Sequence, residues 1–181
     1  MSVAAKRWTW EDIKDLPEYH GRTEIVDGEL VMSPVPSLRH QRTTSRLCVE
    51  IRPFVEGRQL GEFLCSPLHI VLADHVNYEP DLCFIAKDRL PAGNIAKFDG
   101  PPDLIIEVIS ESNRTHDTVT KFRDYERYGV REYWLVDQDE ERIEAWFLEG
   151  GRYVSLGKFG RGQAVITRVL EGLSLDPARV F

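Results

Sequence analysis

The segment from Leu104 to Ile109, which reads LIIEVI, constrains the fold more than any other part of the chain. Consecutive apolar residues are typical of a strand that is buried on both faces. A helical pattern over 115–128 follows, then Gly129 where a left-handed helix cap is expected, then a second apolar run at 132–136. Strand, helix and strand with short connections predict a parallel pair with a right-handed crossover.

Local signals predict the remaining elements. Asp27-Gly28 between two apolar runs predicts an N-terminal β-hairpin, and Ser37 is expected to cap a long helix that runs to about residue 56. The other predicted elements are a short helix begun at Thr9 and ended by Pro17, extended structure at 62–73 interrupted at Pro67, a buried strand at 82–86, a loop at 89–100, a hairpin of 142–148 and 153–159, and a turn after 176–177. This order predicts an α/β fold with antiparallel strands at the flanks.

Composition and charge narrow the class of protein. With 181 residues, 42% of them hydrophobic, the chain suits one domain over 1–181 with an apolar core. The net charge of -7 argues against a protein that coats nucleic acid through bulk charge, but not against an enzyme that acts on it. No apolar run approaches the roughly 20 residues of a membrane helix, and the N-terminus lacks the apolar stretch of a secretory signal, so we expect a cytoplasmic protein.

Several familiar motifs are absent from the sequence. The three cysteines, Cys48, Cys65 and Cys83, contain no CxxC pair, so a zinc knuckle is not expected and buried, reduced thiols are. The chain also lacks GxSxG, Walker A, GxGxxG and HExxH patterns. These absences argue against a serine hydrolase with a nucleophile elbow, a nucleotide-binding loop and a zinc protease.

The carboxylate of Glu107 is unexpected inside an apolar strand. There it needs a metal ion, a proton or a cation, and the alternatives to a functional site are a salt bridge to a buried Lys or Arg or a position at the strand end near water. Asp103 precedes Glu107 on the same strand, and the two positions lie about 13 Å apart, so one ion cannot easily bind both carboxylates. Asp81, after Pro80 at the start of another strand, lies about 4.8 Å away if the two strands pair. We therefore choose Asp81 as the partner, although alone it would be an ordinary turn aspartate.

Five further candidates come from spacing and position. Asp117, Lys121 and Tyr125 recur every four residues on the helix after the LIIEVI strand, so they share a face; the alternative is an exposed Asp117–Lys121 pair. Glu24 lies just before the Asp-Gly turn, where cross-strand charge pairing in an exposed hairpin is the alternative. His40, near the start of the long helix, either lines a site or is a helix-start or packing histidine.

Taken together, these residues resemble the Uma2 (Uma-two) family of restriction-endonuclease-like proteins, within the PD-(D/E)XK nuclease superfamily. The resemblance covers nearly the whole chain, and its most specific block is Pro102-Asp103-Leu104-Ile105-Ile106-Glu107-Val108-Ile109-Ser110. The other matching segments are Trp10-Glu11-Asp12, Glu24 to Leu30, His40-Gln41, Pro80-Asp81-Leu82, Asp117, Lys121, Tyr125, Gly129-Val130 and Glu132 to Asp137.

The resemblance implies a restriction-endonuclease-like fold, a mixed central sheet flanked by helices. It implies that Asp81, Glu107 and the Val108 carbonyl bind Mg²⁺ or Mn²⁺, with Glu24 as an additional acidic ligand. Similar enzymes carry a lysine two residues after the second acid, where this chain has Ile109. Lys121 resembles a lysine that has migrated to the following helix. The residues left to line the site are His40, Asp117 and Tyr125.

The implied function is metal-assisted hydrolysis of DNA phosphodiesters, with Asp81, Glu107 and Lys121 as the catalytic residues. Two alternatives stay open: a non-catalytic interaction protein on the same fold, favoured by the acidic charge and by Ile109, and a hydrolase of smaller phosphate esters. The aromatic residues of the last hairpin form either part of the core or an interface, so a homodimer is also expected. They are Trp146, Phe147, Tyr153 and Phe159.

Overall fold

The computed structural model describes residues 6–17, 21–65, 68–93, 95–110 and 114–181. Its strands are β1 (Arg22–Val26), β2 (Glu29–Ser33), β3 (Gly61–Cys65), β4 (His69–Ala73), β5 (Val76–Tyr78), β6 (Leu82–Ala86), β7 (Lys97–Asp99), β8 (Leu104–Ile109), β9 (Glu132–Asp137), β10 (Arg142–Glu149) and β11 (Arg152–Phe159). Its helices are α1 (Trp10–Ile13), α2 (Leu38–Gly57) and α3 (Phe122–Tyr128), with a π-helical segment, His116–Lys121, leading into α3 and short 3-10 turns at Lys87–Arg89 and Pro177–Arg179. No helix among the described residues combines the length and apolar character that crossing a bilayer requires.

A six-stranded sheet in the order β11-β10-β9-β8-β6-β3 forms the centre of the fold. Its one parallel pair among the described residues is β8 with β9, and the π-helical segment and α3 cross between them. Gly129 ends α3 with a φ of 89°, which a glycine adopts without strain. The predicted strand–helix–strand unit and its glycine cap are therefore confirmed.

The helix α2 covers one face of this sheet. The Ser37 side chain caps the helix by accepting a hydrogen bond from the backbone N–H of His40 at 3.2 Å, as predicted. Leu47, Ile51 and Val55 recur every four residues along α2 and pack into one buried cluster with strand residues of β3, β6, β8, β9 and β10. Burial of this stripe holds α2 in place, with its N-terminal end at the carboxylates described below.

A second sheet, in the order β2-β1-β5-β4-β7, lies against the other face. The predicted hairpin is its edge, and the turn residues Asp27 and Gly28 both have positive φ values, 48° and 85°. Ile70 and Tyr78 of this sheet pack in one buried cluster with Ile105 of the central sheet and Tyr125 of α3. The N-terminal hairpin is thereby fixed close to β8 and to the helix that follows it.

One predicted loop contains a strand. The sequence predicts an irregular segment at 89–100, but Lys97–Asp99 forms β7, a three-residue strand parallel to β4. Its central residue, Phe98, is buried against the second cluster, which stabilises a strand too short to be recognised from sequence. The interruption predicted at Pro67 lies outside the described residues, and β3 and β4 end and begin on either side of it.

The expectation of three reduced cysteines is wrong for two of them. Cys48 on α2 and Cys65 at the end of β3 form a disulfide across a sequence separation of 17, with Cα atoms 6.5 Å apart. The packing of α2 beside β3 brings the two side chains together, and nothing in their spacing along the chain indicates it. Cys83 is a free, buried cysteine as predicted.

The aromatic residues of the last hairpin pack within the chain. Phe122 of α3 lies in edge contact with Trp146 and with Tyr153, at centroid distances of 5.2 and 5.1 Å. Phe159 is buried, and the Arg168 guanidinium lies over the Phe147 ring. These contacts agree with the predicted use in the core, and the predicted interface stays a prediction.

Candidate active site

The register between β6 and β8 places Asp81 and Glu107 side by side. Leu82 pairs with Ile106 in this antiparallel arrangement, so Asp81, one residue earlier, lies next to Glu107, one residue later. Both residues are buried, with 2% and 1% of their surface exposed. The choice of Asp81 as the partner of Glu107 therefore agrees with the strand pairing.

One oxygen of each carboxylate is held by groups that the fold fixes. Asp81 Oδ2 accepts a hydrogen bond from the backbone N–H of Val108 at 2.7 Å and lies 3.1 Å from Nε2 of His40. Glu107 Oε1 accepts a hydrogen bond from the Tyr125 hydroxyl at 2.8 Å. His40 and Tyr125, predicted as lining residues, thus orient the two carboxylates.

The ammonium group of Lys121 lies among three carboxylates. Its Nζ is 3.0 Å from Glu107 Oε1, 3.0 Å from Glu24 Oε1 and 3.6 Å from Asp117 Oδ1. The turn that carries Asp117 and Lys121 is π-helical, a rare geometry that is frequent at functional sites. Lys121 is 1% and Asp117 5% exposed, so the alternative of a solvent-exposed pair is wrong.

Glu24 brings the N-terminal hairpin into the same cluster. Its buried carboxylate accepts a hydrogen bond from the backbone N–H of Glu79 at 3.2 Å and lies 2.9 Å from Nε2 of His116. The alternative of cross-strand charge pairing in an exposed hairpin is therefore wrong. Glu24, Asp81, Glu107 and Asp117 form one buried group, which we call the carboxylate cluster.

Two residues of the site are missing from the sequence prediction, Arg22 and His116. Arg22 Nη2 contacts Asp81 Oδ1, and its Nη1 lies 3.8 Å from Glu107 Oε2. Arg22 is two residues before Glu24, so alternation along β1 places both side chains on one face, and this spacing was the available signal. No comparable signal exists for His116, whose contact with the hairpin depends on tertiary packing.

Burial and neighbouring charges shift the pKa values of the cluster in opposite directions. Burial raises the pKa of Glu107 to about 7, and it also raises the pKa of Asp117. At Glu24 the cost of burial is outweighed by Lys121 and His116, which lower its pKa to about 2. Lys121 itself is buried, but the surrounding carboxylates hold its pKa well above the usual value. Lys121 therefore stays a cation.

The carboxylates of the site outnumber its permanent cations. Two cations, Arg22 and Lys121, lie among the four carboxylates of the cluster. At Asp81 the cost of burial is outweighed by His40 and Arg22, which lower its pKa to about 2. Counted against Arg22 and Lys121 alone, four ionised carboxylates leave an excess of two negative charges, which is costly in a buried place. The raised pKa of Glu107 relieves this excess with a proton, and a divalent cation would relieve it with a metal.

The donor atoms of the cluster are of the chemical type that a hard divalent ion prefers. Glu107 Oε2 is buried and has no hydrogen-bond partner, so this carboxylate oxygen beside Asp81 is available to bind an ion. Carboxylate and carbonyl oxygens suit Mg²⁺ or Mn²⁺ better than zinc. Over the part of the chain that the structure describes, no three His, Cys, Asp or Glu side chains are already arranged to hold an ion, since Arg22 and Lys121 lie between the carboxylates.

A cleft of about 440 Å³ leads to the cluster from solvent. Its lining includes Arg22, His40, Val108 and Asp117, together with Arg39 and Gln138. A second cleft, of about 490 Å³, reaches Asp81 from the side of the disulfide and shares Arg22 and His40 with the first. Volumes of this size are typical of sites for small ligands or parts of larger ones.

Asp103 and Ile109 are not part of the carboxylate cluster. Asp103 is buried, accepts a hydrogen bond from the backbone N–H of Ala86 at 2.9 Å and forms ion pairs of 3.1 Å with Arg89 and with Arg131. Its carboxylate is thus fully used elsewhere. Ile109, at the position of the motif lysine, is buried in the apolar cluster around Tyr125. The ammonium group of the site comes from the following helix instead.

The model of the Uma2 family, described as "Putative restriction endonuclease", matches residues 10–178. The chain belongs to the Uma2 family. The match includes every residue of the site, and it confirms the resemblance predicted from the LIIEVI block and its companions. No curated protein matches this Uma2 chain.

A solved structure shows the same fold as this Uma2 chain. It is the crystal structure of "a putative nuclease belonging to DUF820 from Anabaena variabilis ATCC 29413", with a TM-score of 0.82 and 20% sequence identity over 96% of this chain and 97% of that chain. At this identity the likeness concerns the fold alone, and it confirms the predicted restriction-endonuclease-like α/β architecture.

Proposed function

We propose that this Uma2 chain is a metal-dependent endonuclease that hydrolyses phosphodiester bonds of DNA with Mg²⁺ or Mn²⁺. The observation that carries the proposal is Glu107 Oε2, a buried oxygen without a hydrogen-bond partner beside Asp81. A divalent cation would bind this oxygen and would also neutralise the excess negative charge of the cluster. The nuclease description of the family supports DNA as the substrate.

Four residues would hold the ion. Asp81 and Glu107 would bind it through side-chain oxygens and Val108 through its carbonyl, while Glu24 would complete the coordination directly or through water. The bound ion would polarise the scissile phosphate and lower the pKa of a bound water. Tyr125 and His40 would keep the carboxylates in their orientation, a task that strongly affects metal affinity at such sites.

Lys121 would act as an electrostatic group. Because Glu24, Glu107 and Asp117 keep it charged, it has no free electron pair with which to accept a proton from water. Its ammonium group would stabilise the negative charge that develops on the phosphate and would orient the attacking water. Lys121 would thus serve the purpose of the motif lysine from a different element.

A second function is favoured by the cations of the site. Arg22 and Lys121 already pair with the carboxylates, so the cluster holds together without a metal, as a non-catalytic interaction protein would require. That function predicts no binding of Mg²⁺ or Mn²⁺ and no cleavage. A hydrolase of smaller phosphate esters, the other alternative, predicts turnover of such esters but not of DNA, and a panel of substrates separates the two.

The test is cleavage of supercoiled plasmid and of single-stranded DNA with Mg²⁺, with Mn²⁺ and with EDTA. Asp81→Asn, Glu107→Gln and Lys121→Met should each lower the metal-dependent rate by about a hundredfold or more. Calorimetry with Mn²⁺ should detect a site in the wild type that is lost in Asp81→Asn. Cleavage that persists in all three variants would contradict the proposal.

The chain offers a matched control in Asp103→Asn. Asp103 follows a proline, is buried like Asp81 and lies next to the same strand as Glu107, but its partners are Arg89 and Arg131. Asp103→Asn should lower stability by about 1–3 kcal/mol while the folded fraction cleaves like the wild type. Equal loss of cleavage in Asp103→Asn and Asp81→Asn would mean that the assay reports folding.

The cytoplasmic location and the homodimer stay predictions. The sequence argument for a dimer is weakened, because Trp146 and Tyr153 contact Phe122 of the same chain. Light scattering of the purified protein at several concentrations measures the oligomeric state directly.

A further inference from the structure

Arg22 contacts the two carboxylate oxygens that the rest of the site leaves unfixed. Asp81 Oδ2 and Glu107 Oε1 are each bonded to groups of the sheet and helices. The remaining oxygens are Asp81 Oδ1, which Arg22 Nη2 contacts, and Glu107 Oε2, which lies 3.8 Å from Nη1. A guanidinium is a planar fork whose donors match two oxygens of carboxylates or of a phosphate.

These same two oxygens are the ones that a metal ion between Asp81 and Glu107 would take. A guanidinium and a divalent ion a few ångströms apart on shared ligands repel each other, so they compete for the place. The contact with Glu107 is longer than a hydrogen bond and leaves Oε2 without a partner. The Arg22 side chain is therefore held mainly by one carboxylate.

A displaced Arg22 side chain has somewhere to go. Arg22 is the first residue of β1, its side chain is 16% exposed, and it lines both clefts that reach the cluster. Its long stem allows the guanidinium to turn from the carboxylates into the cleft while the backbone stays in the sheet. In the cleft, the guanidinium would meet the phosphate of any substrate that approaches the cluster.

We propose that Arg22 has two positions, one on Asp81 and Glu107 in the metal-free protein and one in the cleft, where it binds a substrate phosphate after a metal has taken those carboxylates. This inference rests on the proposed function, because it requires a metal at Asp81 and Glu107. Metal binding then creates the phosphate-binding group. By linkage, metal and phosphate must strengthen each other's binding.

The direct test observes the Arg22 guanidinium in the wild type. Its Nε–H resonance, in protein with ¹⁵N-labelled arginine, is assigned by its loss in Arg22→Lys. In the metal-free protein the ion-paired group should exchange slowly with solvent, and Mg²⁺ should shift the resonance and speed its exchange. Binding of Mg²⁺ with the Arg22 resonance unchanged would overturn the inference.

Calorimetry supplies a second test with Arg22→Gln, which removes the charge and keeps a planar polar side chain. Mn²⁺ should bind about tenfold more tightly to this variant, because the ion no longer displaces a guanidinium. Binding of a phosphorothioate-linked DNA strand with Mg²⁺ present should weaken about tenfold. Arg131→Gln is the matched control, since its partner Asp103 lies outside the site, and its Mn²⁺ affinity should equal that of the wild type.

The outcomes separate this inference from the proposed function. A wild type that binds no Mn²⁺ would contradict both. If the wild type binds Mn²⁺ and Arg22→Gln binds it equally or more weakly, the inference that Arg22 has two positions is contradicted. The proposed function is not. Thermal unfolding establishes that Arg22→Gln is folded, and the resonance measurement on the wild type does not depend on that variant.

Discussion

Lys121 Nζ lies 3.0 Å from Glu107 Oε1, although Glu107 belongs to β8 and Lys121 to the helical segment that follows it. The helical crossover between β8 and β9 brings this segment back over its own strand, so that Lys121 reaches Glu107. A lysine 14 residues further along the chain therefore reaches the carboxylate that a lysine at position 109 would reach in the simple motif.

Replacing Lys121 with methionine tests how far the ammonium group holds the cluster together. Lys121→Met leaves Glu24, Glu107 and Asp117 buried without their shared cation, and breaking a buried pair costs about 3–5 kcal/mol. Urea denaturation in EDTA should show this loss of stability, and saturating Mn²⁺ should restore part of it. Arg152→Met, which breaks an exposed pair with Glu126, should change stability by less than about 1 kcal/mol.

The raised pKa of Glu107 predicts a stability that falls as the pH rises. In the folded protein Glu107 is protonated below about pH 7, whereas an unperturbed glutamate has a pKa of 4.5. The folded state therefore binds more protons between these values, and its stability decreases across that window by up to about 3 kcal/mol. Urea denaturation in EDTA at about pH 5 and about pH 8 should show this decrease in the wild type and a much smaller one in Glu107→Gln.

The lowered pKa of Glu24 makes stability depend on pH in the opposite direction from the raised pKa of Glu107. Because its pKa is lowered to about 2, its contribution to stability is present above about pH 4.5 and is lost as the pH falls below that value. The Glu24→Gln variant should therefore be less sensitive to acid than the wild type. An equal change in stability between pH 5 and pH 8 in the wild type and in Glu107→Gln would contradict the assignment for Glu107.

Metal binding should release the proton of Glu107. At about pH 6 the carboxyl group is mostly protonated in the metal-free protein, and an ion requires the carboxylate, so Mn²⁺ binding should release about one proton. Calorimetry in two buffers with different ionisation enthalpies counts this proton. At about pH 8 the release should approach zero. The same count at both pH values would show that Glu107 does not bind the ion.

The N-terminal hairpin and α2 could be predicted because turn residues, a helix cap and apolar spacing mark them within a few residues. The positive φ values of Asp27 and Gly28 explain why an Asp-Gly pair indicates a hairpin, and the Ser37 cap and four-residue apolar spacing explain α2. Strand β7 has no such signal, because its three residues are a strand only through pairing with β4. The disulfide likewise depends on how α2 packs beside β3.

The residues of the site likewise divide into those that local spacing predicts and those that only tertiary packing brings together. Helical spacing brings Asp117, Lys121 and Tyr125 together, and strand spacing selects Asp81 over Asp103. The roles of Glu24 and Val108 came from the family resemblance, and those roles stay predictions. Arg22 and His116 were missed because their partners, Asp81 and Glu24, lie 59 and 92 residues away along the chain. Alternation along β1 places Arg22 on the same face as Glu24, but the contacts of Arg22 with Asp81 and of His116 with Glu24 are decided by packing between elements that are distant in sequence.

The disulfide predicts a stability that depends on reducing agent. Reduction of Cys48–Cys65 opens a loop with a sequence separation of 17, and the chain-entropy relation gives a loss of about 3 kcal/mol for a loop of this size. Urea denaturation with and without a thiol reductant should show this difference, and Cys48→Ser should show the lower stability under both conditions.

Cys83 serves as the internal control for the disulfide. Burial raises the pKa of its thiol to about 12, so it should not react with a thiol reagent while the protein is folded. The folded, oxidised protein should therefore contain no reactive thiol, and the unfolded, oxidised protein one. Three reactive thiols after unfolding without reductant would mean that Cys48 and Cys65 are not joined.

Moving the lysine back to the strand tests whether Lys121 replaces the motif lysine. Ile109 is two residues after Glu107 on the same face of β8, about 6.6 Å along the strand, within reach of a lysine stem. Ile109→Lys alone should lower stability by about 2–4 kcal/mol, because it brings a charge into an apolar cluster. Combined with Lys121→Met, it should raise the cleavage rate at least about tenfold above Lys121→Met alone, a non-additive effect expected of residues that serve one purpose.

The matched control for this exchange is Val119→Lys in the Lys121→Met background. Val119 lies on the same π-helical segment as Lys121 but is 59% exposed. A lysine at position 119 therefore adds one positive charge, as Ile109→Lys does, but its ammonium group does not reach the carboxylate cluster. It should leave cleavage at the level of Lys121→Met. Rescue by both double variants would indicate a general effect of charge on DNA binding, whereas rescue by the Ile109→Lys combination alone would show that an ammonium group beside Glu107 is what the reaction requires.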